Sequence, residues 1–149
     1  MGFDTTRKGT HGARQPRGAL LKWANRMTIK RIRGGKAGEM LVLTTVGRKS
    51  GAARETPVRS FPGGDGTWLV VASANGAAGN PAWYYNLAAN PDVTIEIGGR
   101  KVPVTAAQLS GAERDQAWQK ISEAAPRFAG YQRKTDREMP VIRLTERAA

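Results

Sequence analysis

EMLVLTTVGRKSGAARETPVRSF, residues 39–61, holds two strand-like runs separated by a glycine-flanked cationic turn. The first, EMLVLTTVG, is a short apolar and β-branched run stopped by glycine, the pattern of a buried strand. The second, RETPVRSF, carries Pro57, which cannot donate to a ladder and therefore marks an edge or irregular position. PGGDGT then turns the chain into TWLVVAS, a third strand at residues 67–73. Two adjacent hairpins follow from this spacing.

Further along, NGAAGNPAWYYNLAAN reads as a glycine-rich loop entering a short helix, with Asn80 as N-cap and Pro81 at the first helical position. VTIEIGGRKVPVTAAQL resembles a hairpin turning at Gly98-Gly99. A helix is expected over residues 111–124, and MPVIRLTE supplies a last strand. Runs of strands with few, short helices argue against a doubly wound α/β fold, whose strands alternate with crossover helices. The expected class is mainly β with peripheral helices, a small and mostly antiparallel barrel. A chain of 149 residues suits one domain. Residues 1–15 are polar and glycine-bearing and are expected to be a flexible N-terminal segment, with residues 16–149 as a single domain.

The charge is regional. The formal net charge is +12, and residues 1–59 hold 14 basic and 3 acidic side chains against 10 and 9 in the remainder. Such a field favours an anionic partner: a phosphate ligand, nucleic acid or anionic lipid. From Pro16 onward, Leu20, Trp23, Ala24, Met27 and Arg31 share one side of a helical wheel, with Lys22, Arg26, Lys30 and Arg33 largely elsewhere, up to Gly34-Gly35. A basic amphipathic helix of this kind packs on its own domain in the commoner arrangement and lies on anionic lipid in the other. No stretch reads as a signal peptide or approaches the roughly 20 apolar residues of a membrane span. The expectation is a cytoplasmic protein, with peripheral contact at the inner face of the plasma membrane as an open alternative.

Cysteine is absent and His11 is the one histidine, so thiolate chemistry, cysteine-bound metal and a multi-histidine metal site are not expected. In Gly47-Arg48-Lys49-Ser50-Gly51, glycines permit a tight turn while arginine, lysine and serine offer donors to phosphate oxygens. The spacing is not that of a P-loop. Chemistry alone leaves an exposed basic hairpin tip as the alternative. Ser73, Asn75 and Gly76 follow a hydrophobic strand, where backbone donors could surround a ligand, although ordinary surface loops share that composition. Trp83 reads first as core. Tyr131 is a better ligand-facing candidate, because Arg133, Lys134, Asp136 and Arg137 surround it with polar sequence. Asp136 and Glu138 do not make a glycosidase pair on spacing alone. No helix-turn-helix, zinc finger or aromatic RNA-binding signature accompanies the basic charge, so no specific nucleic acid is expected.

LVLTTVGRKSGAARETPV, WLVVASANGAAGNPAWYYNLAANPDVTIEIGGR and YQRKTDREMPVIRL, taken in order, resemble the deazaflavin-dependent nitroreductase family of actinobacteria, within the flavin- and deazaflavin-binding split-barrel superfamily. The resemblance spans roughly residues 38–145. It implies a split β-barrel of the FMN-binding-like kind that binds coenzyme F420, a hydride-transfer deazaflavin bearing a phosphate and an acidic oligoglutamate tail. By the same resemblance, Gly47, Arg48, Lys49, Ser50, Arg54 and Pro57 help bind the phosphate-bearing side. Ser73, Ala74, Gly76, Asn80, Pro81, Ala82 and Trp83 correspond to further cofactor-contacting positions. Ser73 and Tyr131 are the candidates for polarising the acceptor. The implied activity is reduction of an electron-poor acceptor such as a quinone, an enone or lactone, or a nitroaromatic. Two departures argue against nitroimidazole activation: Arg59 and Phe128 stand where the nitroimidazole-activating relative has tyrosines. Ala74 also replaces a lysine of that relative. An FMN- or haem-binding split-barrel protein and a basic membrane- or nucleic-acid-interacting protein are the alternatives, and a homodimer is expected as one assembly state.

Overall fold

The computed structural model describes residues 3, 5–13, 18–36 and 38–147. Helix α1 (Ala19–Arg33) leads into β1 (Met40–Val46), β2 (Ala53–Arg59), β3 (Phe61–Pro62) and β4 (Thr67–Val71). A single 3-10 turn, Ala74–Gly76, precedes α2 (Ala82–Ala89), β5 (Asp92–Ile97) and β6 (Arg100–Gln108). Helices α3 (Gly111–Ala124) and α4 (Pro126–Arg133) then bring the chain to β7 (Val141–Glu146).

All seven strands join one sheet in the order β2-β1-β5-β6-β7-β4-β3, and every pairing is antiparallel. The sheet curls into an open half-barrel with peripheral helices, the mainly β class expected from the strand pattern and the split-barrel form that the resemblance implies. β2 and β3 form its two unpaired edges. Pro57 sits within edge strand β2, opposite Val42, where its missing N–H costs no ladder bond.

β1 is apolar over residues 40–43, where both faces are covered. Leu41 and Leu43 join the main core with Trp83, Tyr84, Leu87, Ile95 and Leu144, while Val42 turns the other way onto Ile29 and Ile32 of α1. A second core cluster lies under α3 and α4, where Ile121 and Phe128 pack with Leu69, Met139 and Val141. Arg33 ties α1 to the sheet by reaching Glu55 on β2 and Glu96 on β5.

Two local expectations are corrected. The side of α1 that packs is the Ile29 and Ile32 side; Leu20, Trp23 and Met27 stay 75%, 56% and 44% exposed. The sheet offers α1 only the narrow strip around Val42, which two isoleucines fill. Asn80 does not cap α2. The helix starts one residue later, with Pro81 at the cap position, because the Asn80 side chain is bonded to Thr6, Tyr85 and Arg137 instead. Residues 126–133 form a further short helix opened by proline at its first position.

Candidate functional site

The hairpin between β1 and β2 closes on itself. The Gly47 N–H donates to the Ala52 carbonyl at 2.8 Å, the Gly51 N–H to the Gly47 carbonyl at 2.8 Å, and the Ala52 N–H to Ser50 Oγ at 3.2 Å. The Arg48 N–H donates to Asn86 Oδ1 of α2 at 3.1 Å, and Asn86 Nδ2 donates to the buried Thr45 hydroxyl at 3.2 Å. Four of the turn's N–H groups are therefore committed within the protein. What the turn presents outward is chiefly its side chains, and Asn86 holds its backbone in place.

Those side chains border a cavity of about 770 Å³ between α1, the turn and the start of α2. Arg48, Lys49 and Arg54 of the hairpin meet Lys22 and Arg26 of α1 around it, with Ala82 and Trp83 on the α2 wall. Among the described residues Glu55 is the one carboxylate on the lining, and it is bound to Arg33. The paired Glu96 and, after it, Glu55 raise the Arg33 pKa, while Arg33 lowers that of Glu96. The cavity thus presents five cations with its single acid neutralised, which suits a polyanion in water-accessible surroundings. The Arg48 guanidinium is steadied over the Tyr85 ring, 4.8 Å from its centroid. Gly47 and Ser50 line the same cavity, whereas Pro57 does not.

The remaining candidate residues gather around the loop from Ala72 to Asn80. Ala74 and Asn75 hold positive φ angles of 47° and 55°, followed by Gly76 at 85°. Left-handed backbone is costly for alanine, so the surroundings must impose it. Gly76 has no room for a side chain: a Cβ there would lie 2.7 Å from the Tyr131 carbonyl oxygen. The loop and Tyr131 are thereby brought into contact, and Tyr131 stacks edge-on against Phe128 at 5.5 Å with Lys134 over its face. Ser73, Ala74, Gly76, Asn80 and Pro81 belong to this loop and do not line the cationic cavity.

Arg137 organises the loop. Its side chain is buried, and it donates to the carbonyls of Ala72 at 2.9 Å, Ser73 at 2.8 Å and Ala77 at 3.1 Å, and to Asn80 Oδ1 at 2.7 Å. Burial lowers its pKa. Sequence reasoning used Arg137 only as polar company for Tyr131, and neither Asn86 nor Lys22 and Arg26 entered the expected site. Nothing in local spacing signals a role that depends on partners about 40 to 65 residues away.

The described part of the N-terminal segment lies across the same region. Gly9 and Ala13 donate their N–H groups to the carbonyls of Ala78 and Gly76, at 2.8 and 2.9 Å. Thr10 donates to Asp136 through its hydroxyl at 2.7 Å and its N–H at 2.8 Å, which holds the Asp136 pKa down to about 2. Thr6 joins Tyr84, Gln108 and Asn80 in one hydrogen-bonded group. At the far end of β2, Arg59 pairs with Glu39 and lines a separate cavity of about 400 Å³ beside Phe61 and Trp68. Among the described residues no cluster of His, Cys, Asp or Glu could hold a metal ion, and no helix is long and apolar enough to cross a membrane.

Comparison with known proteins places this geometry. A family described as F420H(2)-dependent quinone reductase matches residues 22–146. An F420H(2)-dependent quinone reductase of Mycobacterium tuberculosis is 39% identical over 132 residues, covering 87% of each chain. Among solved structures, an F420-H2 dependent reductase (FDR-A) matches with a TM-score of 0.65 at 39% identity, over 71% of this chain and 93% of that one. A chain described as a domain-swapped dimer matches with a TM-score of 0.67 at 34% identity, over 85% and 99%.

Proposed function

From a chain that belongs to the F420H(2)-dependent quinone reductase family, we propose a reductase that uses reduced F420 to deliver a hydride to an electron-poor acceptor: a quinone first, with conjugated enones or lactones and nitroaromatics as the wider class. The observation that carries this reading is the five-cation cavity with its one acid neutralised by Arg33. Bound F420 supplies the hydride chemistry. Arg48, Lys49 and Arg54 hold its phosphate, and Lys22 and Arg26 extend the positive field toward its acidic tail. Ala82 and Trp83 give the cavity an apolar wall. Ser73 and Tyr131 are the hydroxyls assigned to orient the ring or acceptor and to stabilise negative charge developing on it. Water can supply the final proton.

The decisive experiment is a pair of fluorescence titrations of the purified protein, with oxidised F420 and with FMN, each at two salt concentrations. Saturable F420 binding that weakens with salt, with little affinity for FMN, is expected. Preference for FMN would move the protein to another cofactor class. Turnover of a soluble quinone by reduced F420 then ranks the acceptors.

Two further elements belong to this reading. The exposed Leu20, Trp23 and Met27 stripe beside Lys22, Arg26 and Lys30 favours peripheral contact with an anionic membrane from the cytoplasmic side, which would bring the site to a bilayer that dissolves apolar quinones. The unpaired edges of β2 and β3, together with the relative described as a domain-swapped dimer, favour a homodimer.

A further inference from the structure

Arg137 is 2% exposed, yet among the described residues none of its hydrogen-bond partners is a carboxylate. A buried guanidinium is retained at a cost unless its donors are well used. Here Nη1 and Nη2 reach the Ala72 and Ser73 carbonyls on the incoming leg of the loop. Nε reaches the Ala77 carbonyl, and a second Nη1 bond reaches Asn80, both on the outgoing leg. One rigid fork therefore joins both legs of the segment whose tip carries the left-handed Ala74, Asn75 and Gly76. Its own backbone is fixed in turn: its N–H donates to Thr135 Oγ1 at 3.1 Å, and its carbonyl accepts from Gln132 Nε2 at 2.6 Å. Gln132 belongs to α4, which also carries Tyr131.

The geometry points to Arg137 as a positioning residue for hydride transfer: it clips the two legs of the Ala72–Asn80 loop together and so fixes Ser73 relative to Tyr131. This inference rests on the proposed F420 function and adds a determinant remote from the cationic cavity. The same fork reaches Asn80, whose amide donates to the Tyr85 hydroxyl, and the Tyr85 ring lies under Arg48. Lysine cannot replace the clip, because one ammonium lacks the planar fork that spans both legs.

Arg137→Lys and Arg137→Gln test it. Two ligands are titrated: F420, and the deazaflavin ring with its ribityl chain but no phosphate. Both variants are expected to lose about tenfold in affinity for the ring-only probe and to lower kcat for quinone reduction, while the salt dependence of F420 binding stays that of the parent. A general loss of structure would not separate the ring from the phosphate in this way. Amide exchange of Gly76 and Ala77 in the ligand-free protein, expected to quicken in Arg137→Lys, reads the clip without any cofactor. Folded variants with parental ring affinity and kcat would overturn the role of Arg137, as would unaltered exchange. Failure of the parent protein itself to bind either probe would instead overturn the F420 reading, and with it the catalytic consequence drawn here.

Discussion

The buried Asn86 side chain accepts the backbone N–H of Arg48 at 3.1 Å and so ties the cationic hairpin to helix α2. Its amide nitrogen simultaneously satisfies Thr45, whose side chain is fully buried on β1. Asn86→Ala leaves two polar groups without this partner, at a cost of about 1–3 kcal/mol. The urea midpoint should fall accordingly. Because the turn also loses its anchor, the F420 dissociation constant should rise about tenfold, the equivalent of roughly 1.4 kcal/mol. A destabilised variant with parental F420 affinity would show that the turn keeps its shape without Asn86.

Charge and shape can be separated at the same turn. Arg48 and Lys49 are exposed on the cavity rim, where ionic screening is strong. Arg48→Ala should weaken F420 binding more than Lys49→Ala, since it removes a bidentate donor already steadied over Tyr85. Each substitution should also flatten the dependence of affinity on salt. Titrations between low and physiological ionic strength measure both effects. Equal salt slopes in parent and variants would place the anion elsewhere.

The strands were legible because their apolar and β-branched runs end at glycines and prolines. β1, β2 and β4 through β7 follow from patterns only five to nine residues long, whereas the two-residue β3 has no such pattern. The hairpin at Gly47–Gly51 was legible for the same local reason. Asn86 and Arg137 were not, because each acts on backbone groups brought near by the curl of the sheet, and a polar residue on a short helix or in a charged run has no periodic signature. The Leu20, Trp23 and Met27 stripe shows the opposite failure. Its helical spacing is regular, but periodicity does not say whether a stripe meets the core or remains outside. Lys22 and Arg26 read as a solvated face and instead border the cavity, since α1 overhangs the edge of β2.

Acid should release the N-terminal segment. The Asp136 carboxylate accepts the Thr10 hydroxyl and N–H, and these contacts lower its pKa from the ordinary 3.8 to about 2. A depressed carboxyl pKa means that docking favours the ionised form. The contribution is complete above about pH 4 and is lost as pH falls toward 2. Between pH 5 and 8 this group should leave docking unchanged. The Thr10 amide resonance followed by NMR should titrate in the acid window, while core amides move later or separately. At neutral pH, Asp136→Ala should quicken tryptic cleavage after Arg7 and Lys8. Unchanged cleavage would show that the contacts from Gly9, Ala13 and Thr6 hold the segment without Asp136.

Helix α1 should behave as a surface anchor. Its packed side is limited to Ile29 and Ile32, leaving Leu20, Trp23 and Met27 in solvent, and it carries Lys22, Arg26, Lys30, Arg31 and Arg33 with no acidic residue. Insertion of an exposed tryptophan and its apolar neighbours gains about 25 cal/mol per Å² buried, and attraction to an anionic surface adds to it. Co-sedimentation with vesicles containing phosphatidylglycerol should therefore exceed that with neutral phosphatidylcholine vesicles, and should decline with salt. Trp23→Asp should reduce sedimentation several-fold with little effect on thermal stability, because the side chain touches none of the three core clusters. Lys30→Glu should reduce it only on anionic vesicles. Equal sedimentation of parent and Trp23→Asp would remove the lipid role and leave the stripe to another copy of the chain, which sedimentation velocity without lipid would reveal as a dimer dissociated by the same substitution.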